Sequence, residues 1–234
     1  MPSKQKTIVT AGISAIVILV LLSLIPLFIS LNSGPGLKAE PLNAENAKPA
    51  TTDLDGTWVV SRGHRPNTSA VGFTFFEILP GDKRLTSGAT EHVTGHIQVS
   101  GDILQEGTVT VDMDKIATDN ERRDINVRNK VFDTDTYPTA YFELTSPVAL
   151  TNIPDNGYPA EVEIAGDLTI KGTTVPVKAM FQVLRDAEWL IFSGDIPISR
   201  TAFKVETPDF IAASIADEGD VNIRLSLRKN EEKN

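Results

Sequence analysis

The sequence predicts an all-β domain, and three observations predict it. Apolar residues recur with a period of two in one segment after another, turn-forming Gly, Asn and Asp residues separate those segments, and only residues 118–130 break the rhythm. A separate segment precedes this domain. Residues 7–31 contain no charged side chain, and as a helix they would span roughly 36 Å, enough for a hydrocarbon core of about 30 Å. Lys4 and Lys6 lie just before the run, which predicts an amino end kept in the cytoplasm and a chain that continues outside. A cleaved signal peptide would have a shorter apolar region and a small-residue cleavage site, which Leu31-Asn32-Ser33 does not supply. Residues 1–31 therefore read as a cytoplasmic stub and single-pass transmembrane anchor, with the rest on the extracytoplasmic side of the cell membrane. Residues 32–53 carry Pro35, Pro41 and Pro49 among Ala, Asn and Glu, and read as a semi-extended linker lifting the domain off the bilayer. The domain occupies 54–230, and 231–234 is a polar tail.

Within the domain each segment has one apolar and one polar face. Val93, Gly95, Ile97 and Val99 alternate with His92, Thr94, His96 and Gln98; Val109, Val111 and Met113 alternate with Thr108, Thr110 and Asp112. The same pattern holds for Ala140, Phe142 and Leu144, for Val162, Ile164, Leu168 and Ile170, and for Val175, Val177, Ala179, Phe181 and Val183. Val221, Ile223, Leu225 and Leu227 form the cleanest case. Gly101-Asp102, Asp155-Asn156-Gly157 and Lys171-Gly172-Thr173 supply hairpin turns, so antiparallel up-and-down order is expected. In residues 118–130, Asp119 is positioned to cap a short connecting helix containing Glu121, Arg122, Arg123 and Asp124. With no layer of helices to cover them, about eight one-sided strands must close into a barrel or fold into a sandwich. Gly95, Ala140, Gly166, Ala179 and Gly194 fall on the apolar faces. Turned inward they leave room beside Phe73, Phe75, Phe142, Phe181 and Phe192; alternatively they mark bends or bulges, and the sequence leaves both open.

Composition narrows the function. The net charge of −9 becomes more negative once Lys4 and Lys6 are set apart, which disfavours nucleic acid as a partner. No cysteine is present, which rules out disulfides, thiolate metal sites and a lipid-modified cysteine anchor. His92 and His96 share a strand face but lie about 13 Å apart, too far to hold one metal. The carboxylate pairs Asp112/Asp114 and Glu161/Glu163 are spaced roughly 6.6 Å, near the separation that glycoside chemistry uses, but face outward with Thr and Lys. Asp133 and Asp135 begin like a calcium loop without its glycine or its terminal glutamate. Nucleotide and hydrolase fingerprints are absent, so neither a metal nor a catalytic residue is assigned. Asn67-Thr68-Ser69 is a formal glycosylation sequon.

Three motifs carry a resemblance. Asp119-Asn120-Glu121-Arg122-Arg123-Asp124 is followed by Val131-Phe132-Asp133 and by Tyr137-Pro138-Thr139 with Phe142. Gly166-Asp167-Leu168-Thr169-Ile170-Lys171-Gly172 is followed by Val175-Pro176-Val177, and Ser199-Arg200-Thr201-Ala202-Phe203 comes last. In order and spacing the stretch from Asp55 onward resembles the YceI-like family of secreted bacterial lipid-binding proteins. It departs from the family at Asn126 and Val127, where a histidine and a leucine are usual, and at residues 65–68, inserted after His64. The resemblance implies a lipocalin-like antiparallel barrel with an apolar tunnel for a polyisoprenoid chain, such as an isoprenoid quinone tail. The lining drawn from it comprises Phe73, Phe75, Val111, Met113, Phe142, Leu144, Leu168, Ile170, Phe181, Phe192, Phe203 and Ile223, with Asn120, Arg123 and Asp124 at the rim or bracing it. No cofactor is implied beyond the lipid itself, and a homodimer is left open. Two other functions stay in view: an envelope stress or interaction module with a filled barrel, and an enzyme acting on a lipid headgroup.

Overall fold

The computed structural model describes residues 36–79, 82–207 and 214–230, together with Ile16, Ile18, Leu19 and Val20. The chain divides into two units, Met1–Gly34 and Pro35–Asn234. The expected transmembrane segment falls almost wholly outside the described residues. Its four described residues are helical and exposed, and no helix among the described residues is long and apolar enough to cross a membrane. The tail at 231–234 also lies outside the described residues.

The second unit is the all-β domain that the alternation demands. Its strands are β1 (Gly56–Ser61), β2 (Ala70–Leu79), β3 (Asp82–Thr90), β4 (Val93–Ser100), β5 (Ile103–Asp112), β6 (Thr139–Leu144), β7 (Val148–Ala149), β8 (Ala160–Ile170), β9 (Thr173–Asp186), β10 (Trp189–Ser199) and β11 (Ser214–Lys229). Every pairing between strands is antiparallel. The order β1-β4-β5-β6-β8-β9-β10-β11 closes on itself because β1 pairs with both β4 and β11, giving an eight-stranded barrel. Closure satisfies both edges of each wall strand and turns the apolar faces inward together. The two-residue β7 is a side branch on β5.

Simple up-and-down order fails at β2 and β3, for a reason of length. Strand β11 has 16 residues and β1 only six, so β1 covers only Ser226 to Lys229 of it. The remainder, from Ser214 to Arg224, takes β2 as its neighbour, with a register shift between Ile215 and Gly219. The free edge of β3 is then capped by reciprocal backbone bonds between Ala89 and Ala117, of 2.9 and 3.0 Å.

Helix α1 (Glu121–Asn126) continues through a π-helical turn, Val127–Phe132, whose Val127 and Phe132 insert into the core. The cap is Asn120 and not Asp119: its Oδ1 accepts from Arg122 N–H at 3.0 Å and Arg123 N–H at 3.3 Å. Asp119 instead holds Arg123 Nη1 at 2.7 Å.

Residues 36–53 are the largest departure from expectation. They do not hang free as a spacer but lie against the outside of the barrel as a strap. Gly36 bridges Ser87, Leu42 N–H donates to Ser193 Oγ, Lys48 N–H donates to Asp186 Oδ1, and Thr51 N–H donates to the Ala187 carbonyl. Asn43 and Asn67 exchange hydrogen bonds of 2.8 and 2.7 Å, so the sequon asparagine is buried and committed to the strap. Arg224 is buried beneath it and donates to the carbonyls of Thr68, Glu40 and Pro41. Burial lowers its pKa from the ordinary arginine value, against the opposing pull of Glu40 and Glu91. Composition missed the strap because its contacts use main-chain groups, which proline-rich sequence offers as readily as any other.

Candidate functional site

The barrel interior is unequal along its length. At the end where β1 begins, Trp58, Val99, Leu150, Val183 and Leu190 are almost wholly buried, and Trp58 Nε1 donates to the Leu54 carbonyl at 2.7 Å. None of these five lines the cavity described next. From Ile116 and Phe132 at the end that carries α1, the wall encloses a cavity of about 120 Å³ that extends along the barrel to Val60, Ile97, Leu104 and Leu227, and its surface is almost wholly apolar. One water molecule needs only about 10–15 Å³ of such space, but also two to four polar partners, which an apolar lining does not give. The site is therefore a dry hydrocarbon-like space.

Ten of the twelve residues that the sequence assigns to the lining are brought together here: Phe73, Val111, Met113, Phe142, Leu144, Leu168, Ile170, Phe181, Phe192 and Ile223. Phe75 and Phe203 are not among them. Phe75 lies across the β2–β11 pair from Gly219, where its ring occupies the space a side chain would need, and Phe203 is buried in the loop after β10. Sequence reasoning omitted several lining residues on the strands, among them Val60, Ile97, Ile164, Val221 and Leu225, and also Ile116 and Phe132, which reach the cavity from the connection between β5 and β6. The last two lie in irregular backbone, where period-two alternation says nothing.

The glycine question has a specific answer. Gly166 receives the ring of Phe142, Gly194 that of Phe181 and Gly88 that of Phe73, and a Cβ at any of the three would collide with the ring. Each glycine thus lets an aromatic side chain settle against the wall instead of crossing the interior. Gly95 differs, because a Cβ there would meet the Thr108 carbonyl oxygen, so its role is close backbone approach. Phe73, Val109, Phe142, Leu144 and Ile223 remain only half-buried although they sit on the inner face, as expected of side chains bordering unfilled space.

Polar candidates lie elsewhere. Asp124 Oδ1 accepts from both the N–H and the hydroxyl of Thr118 at 2.6 Å, so it braces the helix entry and does not pair with Arg123. His92 and His96 are exposed, and His96 Nδ1 meets Thr108 Oγ1 at 3.2 Å. Glu163 pairs with Lys178 at 3.0 Å on the outside. Asp133 sits in a left-handed conformation at the end of the helical segment, its carbonyl accepting from Thr136 and Tyr137. Among the described residues no cluster of His, Asp and Glu is arranged to hold a metal ion.

The sequence pattern of the YceI-like domain matches residues 64–227. The chain belongs to the YceI-like family. Comparison with curated protein sequences finds no match. Among solved structures, the YceI-like barrel is similar to Burkholderia cenocepacia BcnA, at 22% identity and a TM-score of 0.55, covering 68% of this chain and 94% of that one. It is also similar to a polyisoprenoid binding domain from Saccharophagus degradans implicated in plant cell wall breakdown, at 17% identity and a TM-score of 0.54, covering 69% and 98%. At these identities the likeness concerns the fold.

The three YceI-like motif regions account for much of the helix end. Tyr137 packs over Gly172 of the β8–β9 turn, tying the first motif to the second. Arg200 donates to the carbonyls of Ala216, Val205 and Ile215, clamping the third motif to the irregular start of β11. Asp217 accepts from Ser199 Oγ at 2.7 Å and from Thr201 N–H at 3.1 Å, and these bonds, the Ser199 hydroxyl first, hold its pKa below the usual aspartate value. Phe132 of the first motif lies 5.7 Å from Phe73, ring centre to ring centre, on the cavity wall.

Proposed function

We propose that this protein is a membrane-tethered, extracytoplasmic lipid-binding protein that holds a polyisoprenoid chain, such as the tail of an isoprenoid quinone, inside its barrel. The observation that carries the reading is the dry apolar cavity, bordered by aromatic side chains seated on glycines. A polyprenyl chain offers a long apolar surface and few polar atoms. Its transfer from water is favourable by about 25 cal/mol for each Å² buried, with almost no hydrogen bonding required. The structural neighbour described as a polyisoprenoid binding domain supports the same ligand class. Tethering follows from the uncharged run at residues 7–31 and its preceding lysines. The reading is one of binding, supported by a lining that is almost wholly apolar.

The test is co-purification. Full-length protein expressed in a bacterium, solubilised in mild detergent and freed of bulk lipid, is extracted with solvent and analysed by mass spectrometry. A prenyl lipid approaching one per chain is expected. Recovery of only the phospholipids of the detergent micelle, together with no uptake of added polyprenol or quinone, would overturn the reading.

A further inference from the structure

The hairpin of β2 and β3 carries an apolar outer face that the cavity does not explain. Phe76, Ile78 and Leu85 are 40%, 45% and 43% exposed. Phe76 pairs directly with Leu85, and Ile78 with Lys83, so the four side chains share one face, while Phe73 and Phe75 alternate to the other. Lys83 Nζ lies 4.0 Å from the centre of the Phe76 ring, its stem lying along apolar surface in the manner of an interfacial lysine. On the opposite face of the hairpin Arg84 and Glu77 neutralise each other at 3.2 Å. Three apolar side chains and one lysine on one face of a hairpin form the composition that enters a lipid headgroup layer.

Covalent reach says which surface this face meets. The strap begins beside the same hairpin: Gly36 bridges Ser87, two residues from Leu85. The uncharged run ends at Leu31, five peptide units earlier, a distance of at most about 18 Å at roughly 3.6 Å per residue. From Gly36 the strap leads away toward Asp186 and Asp53, at the opposite end of the barrel. On the membrane-tethered reading, chain connectivity alone therefore limits how far the hairpin end can lie from the end of the uncharged run. We infer that the outer face of the β2–β3 hairpin, through Phe76, Ile78, Leu85 and Lys83, docks on the phospholipid bilayer surface in which the chain is anchored. This inference rests on the membrane-tethered reading. It also turns toward the bilayer the end of the barrel where α1 and the cavity residues Ile116 and Phe132 lie.

The absence of cysteine makes the test direct. Full-length Ile78→Cys, Leu85→Cys and, as a control in the loop before β8, Tyr158→Cys are each labelled with an environment-sensitive fluorophore. They are reconstituted in vesicles of phosphatidylethanolamine and phosphatidylglycerol containing a doxyl-labelled lipid. Quenching several-fold stronger at positions 78 and 85 than at 158 is expected. Protein that floats with the vesicles after an alkaline wash but shows equal quenching at all three sites overturns the docking and leaves the tether standing. Protein that fails to float overturns the tether, and the docking with it. Quenching that follows protein density and not doxyl content would mean that a second copy covers the face, which also overturns the proposal.

Discussion

The two ends of the barrel are built from the same alternation and yet differ in what they enclose. At the Trp58 end, the indole and the branched aliphatic side chains are almost wholly buried, and Leu150, Val183 and Leu190 have 0% exposure. At the helix end, glycines opposite phenylalanines let rings rest against the wall, and the centre stays unfilled. Period two dictates which face turns inward; the sizes of the residues that meet there dictate whether the interior is a core or a container.

The difference is sharpest in truncations. Trp58→Ala is expected to cost about 3–5 kcal/mol, because it opens a void in close-packed surroundings and removes the bond to Leu54. Leu144→Ala, bordering space that is already open, should cost less than half as much. Urea denaturation of both variants, at equal slope, checks the ratio, and equal losses would erase the distinction between the ends.

The strap provides the next contrast. Replacing Arg224 by Met leaves the carbonyls of Glu40, Pro41 and Thr68 without their donor beneath the strap, a loss of roughly 2–3 kcal/mol. Limited proteolysis should then cut within residues 36–53 well before the barrel. This segment also shows how far the sequence could be read. Alternation gave the inward faces of β4, β6, β8 and β9 and of the later halves of β5 and β11, because each has one wet and one dry face, but not β7, β10 or the first half of β11. It could not give the placement of the β2–β3 hairpin, which depends on the mismatch in length between β11 and β1. Nor could it show the strap, whose bonds are mostly main-chain. Ten of the residues drawn from the family resemblance border the cavity, whereas Phe75 and Phe203 share the composition of the lining without its position. Asn120 and Asp119 compete for the cap one residue apart, and the choice is made by Arg123, which draws Asp119 away.

Enlarging a residue reverses the comparison. Ala140→Leu adds atoms to the open space and should change stability by less than about 1 kcal/mol, whereas Val183→Phe at the packed end should cost about 1–3 kcal/mol or more. Polyprenol uptake should fall at least about tenfold, roughly 1.4 kcal/mol, for Ala140→Leu, as read by lipid co-elution with the folded protein.

The smallest effect concerns charge on the outer wall. Burial, with repulsion from Asp195 next, raises the pKa of Asp220 above its ordinary value of 3.8, against a smaller lowering pull from Lys38. A carboxyl with a raised folded pKa contributes stability that is complete below the unfolded value and is lost as pH rises through the folded one. Asp220→Asn should therefore raise the melting temperature slightly at about pH 7, and the gain should vanish near pH 3; a larger gain in acid would contradict this sign.

The central claim, that the unfilled interior of the barrel receives a hydrocarbon chain while the packed residues around Trp58 do not, is tested most directly by a photoreactive polyprenyl probe. Full-length protein loaded with the probe, irradiated and mapped by peptide mass spectrometry should carry label on Val111, Phe142, Leu168 and Ile223. Label confined to outward residues such as Tyr158 or Met180, with none on the cavity wall, would contradict it.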